Sequence, residues 1–132
     1  ATVIGSGASV SEYVIHQTEM LVKLMGVGAK RLTAFNDNDQ HVIRVEYADG
    51  RKANIVFVSD YGTPAAFIPY KNGGESKFIQ ITSEYFKSLM ADILKFYESG
   101  KLPFDSRETL EVMKVRDAII KSEKISEQWI EI

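Results

Sequence analysis

The sequence predicts an α+β fold: an antiparallel or mixed open-faced β-sheet with helices packed on one face. Apolar runs of period two cluster in the middle of the chain, and runs at helical spacing flank them. No strand–helix–strand alternation repeats, which disfavours a doubly wound parallel sheet. At 132 residues, 45% apolar and 26% charged, the chain is one domain, 1–132, able to bury a core.

The elements follow in order. Gly5-Ser6-Gly7 leads into a helix, and Ser9 with Glu12 three places on is a capping-box pattern that starts it near Val10. Val14, Leu21, Val22 and Met25, with Thr18 between, form its buried stripe, and Gly26 and Gly28 end it. Residues 29–36 read as a strand closed by a polar turn. Strands 41–47 and 52–59 flank Ala48-Asp49-Gly50-Arg51, a hairpin signal because glycine supplies positive φ. The second of these strands is apolar on both faces: Ala53, Ile55 and Phe57 on one, Val56 and Val58 on the other. Such a strand is covered twice: the helices are one cover, and a second subunit is a candidate for the other.

Residues 65–70 and 76–81 form a further hairpin through Lys71-Asn72-Gly73-Gly74. Thr82 or Ser83 caps a second helix with stripe Phe86, Leu89, Met90, Ile93, Leu94 and Tyr97, stopped by Gly100. Asp105 and Glu108 box the third helix, whose apolar set is Leu110, Met113, Val115, Ile119 and Ile120. Trp129-Ile130-Glu131-Ile132 closes the chain as a short strand.

Composition narrows the function classes. A formal net charge of −2 and no basic run longer than Lys30-Arg31 leave no field for a phosphate backbone, so nucleic acid is excluded as a partner. No apolar run approaches the roughly 20 residues that cross a bilayer, and Ala1-Thr2-Val3-Ile4, short and without a basic lead, is not expected to be a signal peptide. With no cysteine there is neither disulfide nor thiolate metal site, which fits a cytoplasmic protein.

Val3-Ile4-Gly5-Ser6-Gly7-Ala8-Ser9-Val10 imitates a dinucleotide fingerprint. Val10 takes the third glycine's place, only four residues precede Gly5, and no βαβ unit follows. Asp37 lies 32 residues beyond Gly5, where a ribose-binding acid belongs about 20 on. The glycines therefore read as a flexible lead-in. Glu12, His16, Glu19 and Lys23 share one helix face at i, i+4, i+7 and i+11. A carboxylate one turn from an imidazole can fix its tautomer and favour its charged form, the basis of a general acid/base pair. The alternative is a solvated face with two helix pairs. His16 has no second histidine at metal-ligand spacing, and His41 sits in a strand, so no metal site is expected. Tyr61, Tyr70 and Tyr85 are candidates for a stacking pocket or for half-buried packing.

The chain resembles the glucose-fructose oxidoreductase/inositol dehydrogenase (Gfo/Idh/MocA) family of NAD(P)-dependent sugar and polyol oxidoreductases. That family carries a glycine-rich lead, an acid four before a histidine and a glycine ten after it. Gly5-Ser6-Gly7, Glu12, His16 and Gly26 fall at or near those places. The run from Tyr13 through His16 to Glu19 and Leu21 is similar to one branch, and Tyr47-Ala48-Asp49-Gly50-Arg51 to its hairpin. Gly100-Lys101-Leu102-Pro103 through Met113, Ala118 and Ser122 resembles its penultimate helix, and Trp129-Ile130-Glu131-Ile132 its closing strand.

The resemblance implies a C-terminal substrate and dimerisation domain. His16 and Glu12 would be the catalytic pair, and Tyr13 and Glu19 would contact a small sugar or polyol. NAD or NADP would be bound by an N-terminal domain absent from this chain, so no residue here is assigned to cofactor or metal. A homodimer would form through the sheet face, and the chain alone would be inactive. The pattern also departs from the family's. Glu12 replaces an aspartate, Val14 stands where glycine is usual, and the usual domain's first strand is not seen. The chain thus reads as a fragment or a free-standing relative, and the second functional reading is a non-catalytic binding or assembly module of the same fold.

Overall fold

In the computed structural model, residues 1–59, 62, 64–69, 74–82 and 84–132 are described. The element order is β1 (Thr2–Ser6), α1 (Val10–Met25), β2 (Ala29–Asn36), β3 (Gln40–Tyr47), β4 (Lys52–Val58), β5 (Ala65–Ile68), β6 (Lys77–Gln80), α2 (Tyr85–Ser99), α3 (Ser106–Ser122) and β7 (Ile130–Glu131). The strands form one mixed sheet in the order β6-β5-β1-β4-β3-β2-β7. Only β1 and β4 run parallel, with Val3 opposite Ile55 and Gly5 opposite Phe57. The α+β class is as the sequence predicts.

The lead-in reading of the first residues is overturned. Thr2–Ser6 is a central strand, paired on both edges with β4 and β5. Apolar alternation over five residues is too short to announce itself; the pairing comes from residues more than fifty places away.

Alternation along each strand sends one set of side chains to the helices. Val3, Leu32, Ala34, Ile43, Val45, Ala53, Ile55 and Phe57 are all buried there. α1 and α3 cover this face side by side, contributing Val14, Leu21, Val115 and Ile119 to one cluster. α1 ends as expected at Gly26, whose positive φ lets its N–H return to the Val22 carbonyl at 2.7 Å. Arg51, after the β3–β4 turn, binds Asp49 and donates to the carbonyl of Met25, fastening the hairpin to the end of α1. Buried Glu111 on α3 accepts from the backbone N–H groups of Gly28 and Ala29 at 2.7 and 2.6 Å, fixing the link from α1 to β2.

Two helix expectations are corrected. α2 is not part of the helical layer: none of its fifteen residues is buried, and its stripe of Phe86, Leu89, Met90, Leu94 and Tyr97 stands exposed. Its N-cap is Glu84; Ser83, the other expected cap, lies outside the described residues. α3 is capped by Asp105 as expected, but Leu110 and Met113 are exposed. The helix is rotated to bury Val112, Val115, Ala118, Ile119 and Ser122, with small Ala118 and Ser122 allowing close approach to the layer below.

Candidate functional site: a cleft beside His16

The polar stripe of α1 is displayed because the opposite face is held hard against β1. An added Cβ on Gly5 would lie 1.9 Å from the Gln17 side-chain amide, and one on Gly7 would lie 2.1 Å from the Tyr13 ring. The two glycines are therefore filled by α1 itself. Gln17 is 1% exposed. With its amide turned to suit its neighbours, it donates to the Tyr13 carbonyl at 2.8 Å and accepts from the Ser6 N–H at 3.2 Å. Helix and strand are thus joined by a buried side chain at the position after His16. Sequence reasoning missed Gln17; a glutamine in phase with Val10, Val14 and Leu21 was the available signal.

This geometry disposes of the fingerprint. A glycine loop binds pyrophosphate by leaving its backbone open to the ligand, and here the space over both glycines is occupied.

His16 stands 63% exposed on the outward side of the helix. Its Nδ1 lies 3.6 Å from Oε2 of Glu19, itself 59% exposed. Tyr13 is its neighbour on the helix, with ring centroids 6.5 Å apart. Glu12 is turned to the helix start instead, where its Oε2 accepts from Ser9 Oγ at 3.1 Å. Ser9 makes no side-chain bond to the backbone, so the expected box is closed between side chains. Three of the four expected site residues, Tyr13, His16 and Glu19, are thereby neighbours, and Glu12 sits behind them at the cap.

His16 and Glu19 form one wall of a cleft of about 1270 Å³. Gln80 at the end of β6 and Thr82 beyond it also line the cleft, as do Tyr85, Phe86 and Leu89 of α2. Phe86 and Leu89, which the sequence puts on the apolar stripe of this helix, line the cleft. Tyr85 lies in it as a stacking candidate, while Tyr61 and Tyr70 fall outside the described residues. The cleft is wider than most small-molecule pockets, which run to about 300–1,000 Å³. His41 has a different part: its Nδ1 lies 3.1 Å from Asn36 Oδ1, and its ring meets the edge of Phe57. Among the described residues no group of three or more acids, histidines or cysteines could hold a metal ion, and no helix is long and apolar enough to cross a membrane.

No protein-family model matches the sequence, and no curated protein matches it. Solved structures match the fold. One is described as a myo-inositol dehydrogenase from Sinorhizobium meliloti 1021, with a TM-score of 0.67 at 15% identity over 99% of this chain and 56% of that one. Another, described as an NADPH-dependent oxidoreductase from Desulfitobacterium hafniense DCB-2, gives 0.69 at 9% identity over 98% of this chain and 55% of its own. GenD2 from gentamicin A biosynthesis, solved with NAD, gives 0.66 at 12% identity over 99% and 55%. These are oxidoreductases of the Gfo/Idh/MocA type, and the part matched is their C-terminal domain.

The chain shares the fold of the C-terminal domain of these oxidoreductases. This chain spans a little over half the length of the structures it matches. At 9–15% identity the likeness is one of fold, and what the domain does rests on its own side chains.

Proposed function

We propose that this chain is the C-terminal substrate-binding and dimerisation domain of an NAD(P)-dependent oxidoreductase acting on a sugar or polyol. The observation that carries the reading is His16, exposed beside Glu19 on the wall of a large cleft in a domain with this fold. The cleft has room for a polyol and for the reacting end of a cofactor held by a nucleotide-binding domain outside these 132 residues. That cofactor, when bound, supplies the hydride acceptor. The chain's own part is to hold the substrate and move one proton. His16 takes the hydroxyl proton as the carbon's hydride departs, and Glu19 on the same wall accepts a hydrogen bond from a neighbouring hydroxyl, with Tyr13 beside His16 just off the cleft lining. Met20, Phe86 and Leu89 give the cleft an apolar side for the carbon skeleton of the substrate.

The test is turnover of a sugar and polyol panel by the longer protein, with His16→Ala beside it. Loss of general-base help lowers kcat roughly 10²–10⁴-fold. Unchanged turnover removes His16 from the mechanism.

The dimer reading draws on the uncovered side of the sheet. Phe35, Val42, Val56 and Ile4 stand in cross-strand register there, none of them buried. Beside them Glu46 is ringed by Arg31, Arg44 and Lys52 at 2.8, 3.6 and 3.8 Å. Hydrogen bonding from Arg31 holds the Glu46 carboxyl below its ordinary range. An apolar row with an ionic margin is the make-up of a subunit interface. Light scattering at high concentration is expected to give a dimer mass, which Val56→Glu reduces to that of a monomer.

A second reading, a binding or assembly module without turnover, draws on Glu12. Its carboxylate is engaged by Ser9 rather than directed at His16, and buried Val14 occupies the position where the resembled family carries glycine. Nucleotide binding by the longer protein without turnover of any panel member would favour it.

A further inference from the structure

Resting on the reading that His16 takes the substrate's proton, we infer that Glu19, rather than Glu12, is the positioning residue for His16. An imidazole acts as a base through one nitrogen only, and which one is decided by the hydrogen bond the other makes. The nitrogen that must be held here is Nδ1, and the carboxylate beside it is that of Glu19, at 3.6 Å.

The contacts favour this partner. Both acids lie about one turn from His16 and are in reach of it by spacing, but the Glu12 carboxylate is met at the helix start by Ser9 Oγ at 3.1 Å. Glu19 and His16 also share the cleft wall. A Nδ1–H held by Glu19 leaves the Nε2 lone pair free for a hydroxyl proton. The imidazolium that results then has its counter-charge in place. A separation of 3.6 Å exceeds a hydrogen bond, and contacts of this kind are commonly long before substrate arrives. Glu12 thereby passes from the catalytic pair to the helix cap.

The tautomer of His16 reads this directly and requires no turnover. The sequence has two histidines, so His41 serves as an internal standard. Two-bond ¹H–¹⁵N correlation spectra of the chain, recorded above the imidazole titration range, give the Nδ1–H to Nε2–H ratio of each ring. In Glu19→Gln the ratio for His16 is expected to fall about twofold, the strength of an exposed helix pair. In Glu12→Gln it is expected to stay as in the parent chain, and His41 to stay constant throughout. A ratio unmoved by Glu19→Gln, or moved as much by Glu12→Gln, overturns the assignment. Failure of the catalytic reading has a separate signature, since His16→Ala would then leave the turnover of the longer protein intact whatever the tautomer.

Discussion

α1 and α2 are nearly equal in length, sixteen and fifteen residues, and each carries an apolar stripe of helical period. α1 buries Val10, Val14, Gln17, Thr18, Leu21 and Val22, whereas α2 buries nothing. By sequence the second has the more obvious stripe, since its face carries Phe86, Leu89, Met90, Leu94 and Tyr97. The difference lies in what each helix meets. α1 meets a strand and the turn after it, where Gly5 and Gly7 leave room for Gln17 and Tyr13. α2 looks across an open cleft toward the helix that carries His16. Periodicity decides which side chains share a face; a matching surface decides whether that face is covered.

The sharpest way to break this comparison is to truncate one leucine on each helix. Leu21 has no exposed surface and Leu89 is 52% exposed. In urea melts Leu21→Ala is expected to cost about 2–5 kcal/mol, and Leu89→Ala no more than about 0.5 kcal/mol. Equal costs would mean that α2 is covered in solution.

The close seat of α1 is tested next. Gly5→Ala places a methyl group where the Gln17 amide lies and should cost about 1–3 kcal/mol. In a Gln17→Ala background the same change should cost roughly 1 kcal/mol less, because the two positions share one space. Independent effects would show that the fit between β1 and α1 is not what seats the helix.

The smallest effect concerns the far end of α1. Tyr47 pairs with Ala29 just beyond that end, and burial pushes its hydroxyl up to about 12 from an ordinary 10.0. Its hydroxyl has no partner among the described residues. Above pH 10 the unfolded chain gives up this proton while the folded one keeps it. Stability is then lost as pH climbs from about 10 through about 12, by on the order of 1–2 kcal/mol. Tyr47→Phe should remove that alkaline loss and leave stability at pH 7 within about 0.5 kcal/mol. A steep alkaline fall that survives the substitution would assign it to another group.

Much of this was legible in the residues. The β3–β4 hairpin, both glycine helix stops and the Asp105 cap follow from local chemistry, because a turn or a cap is decided by neighbours in sequence. His16, Tyr13 and Glu19 were legible as a group for the same reason, since helix spacing alone puts them on one side. β1 was not legible, because its evidence is pairing with β4 and β5 far along the chain. Nor was Gln17, whose importance rests on a glycine twelve places earlier.

By itself, then, the sequence determined the α+β class, most of the strands and helices, and the presentation of His16 from the first helix. Each of these is set by contacts within a few residues. Only the tertiary structure decided that the leading glycines are filled by Gln17 and Tyr13, that α2 stands away from the core, and that Glu19 is the acid beside His16. Those depend on which surfaces meet and on which partner each side chain finds, and neither is encoded in spacing alone.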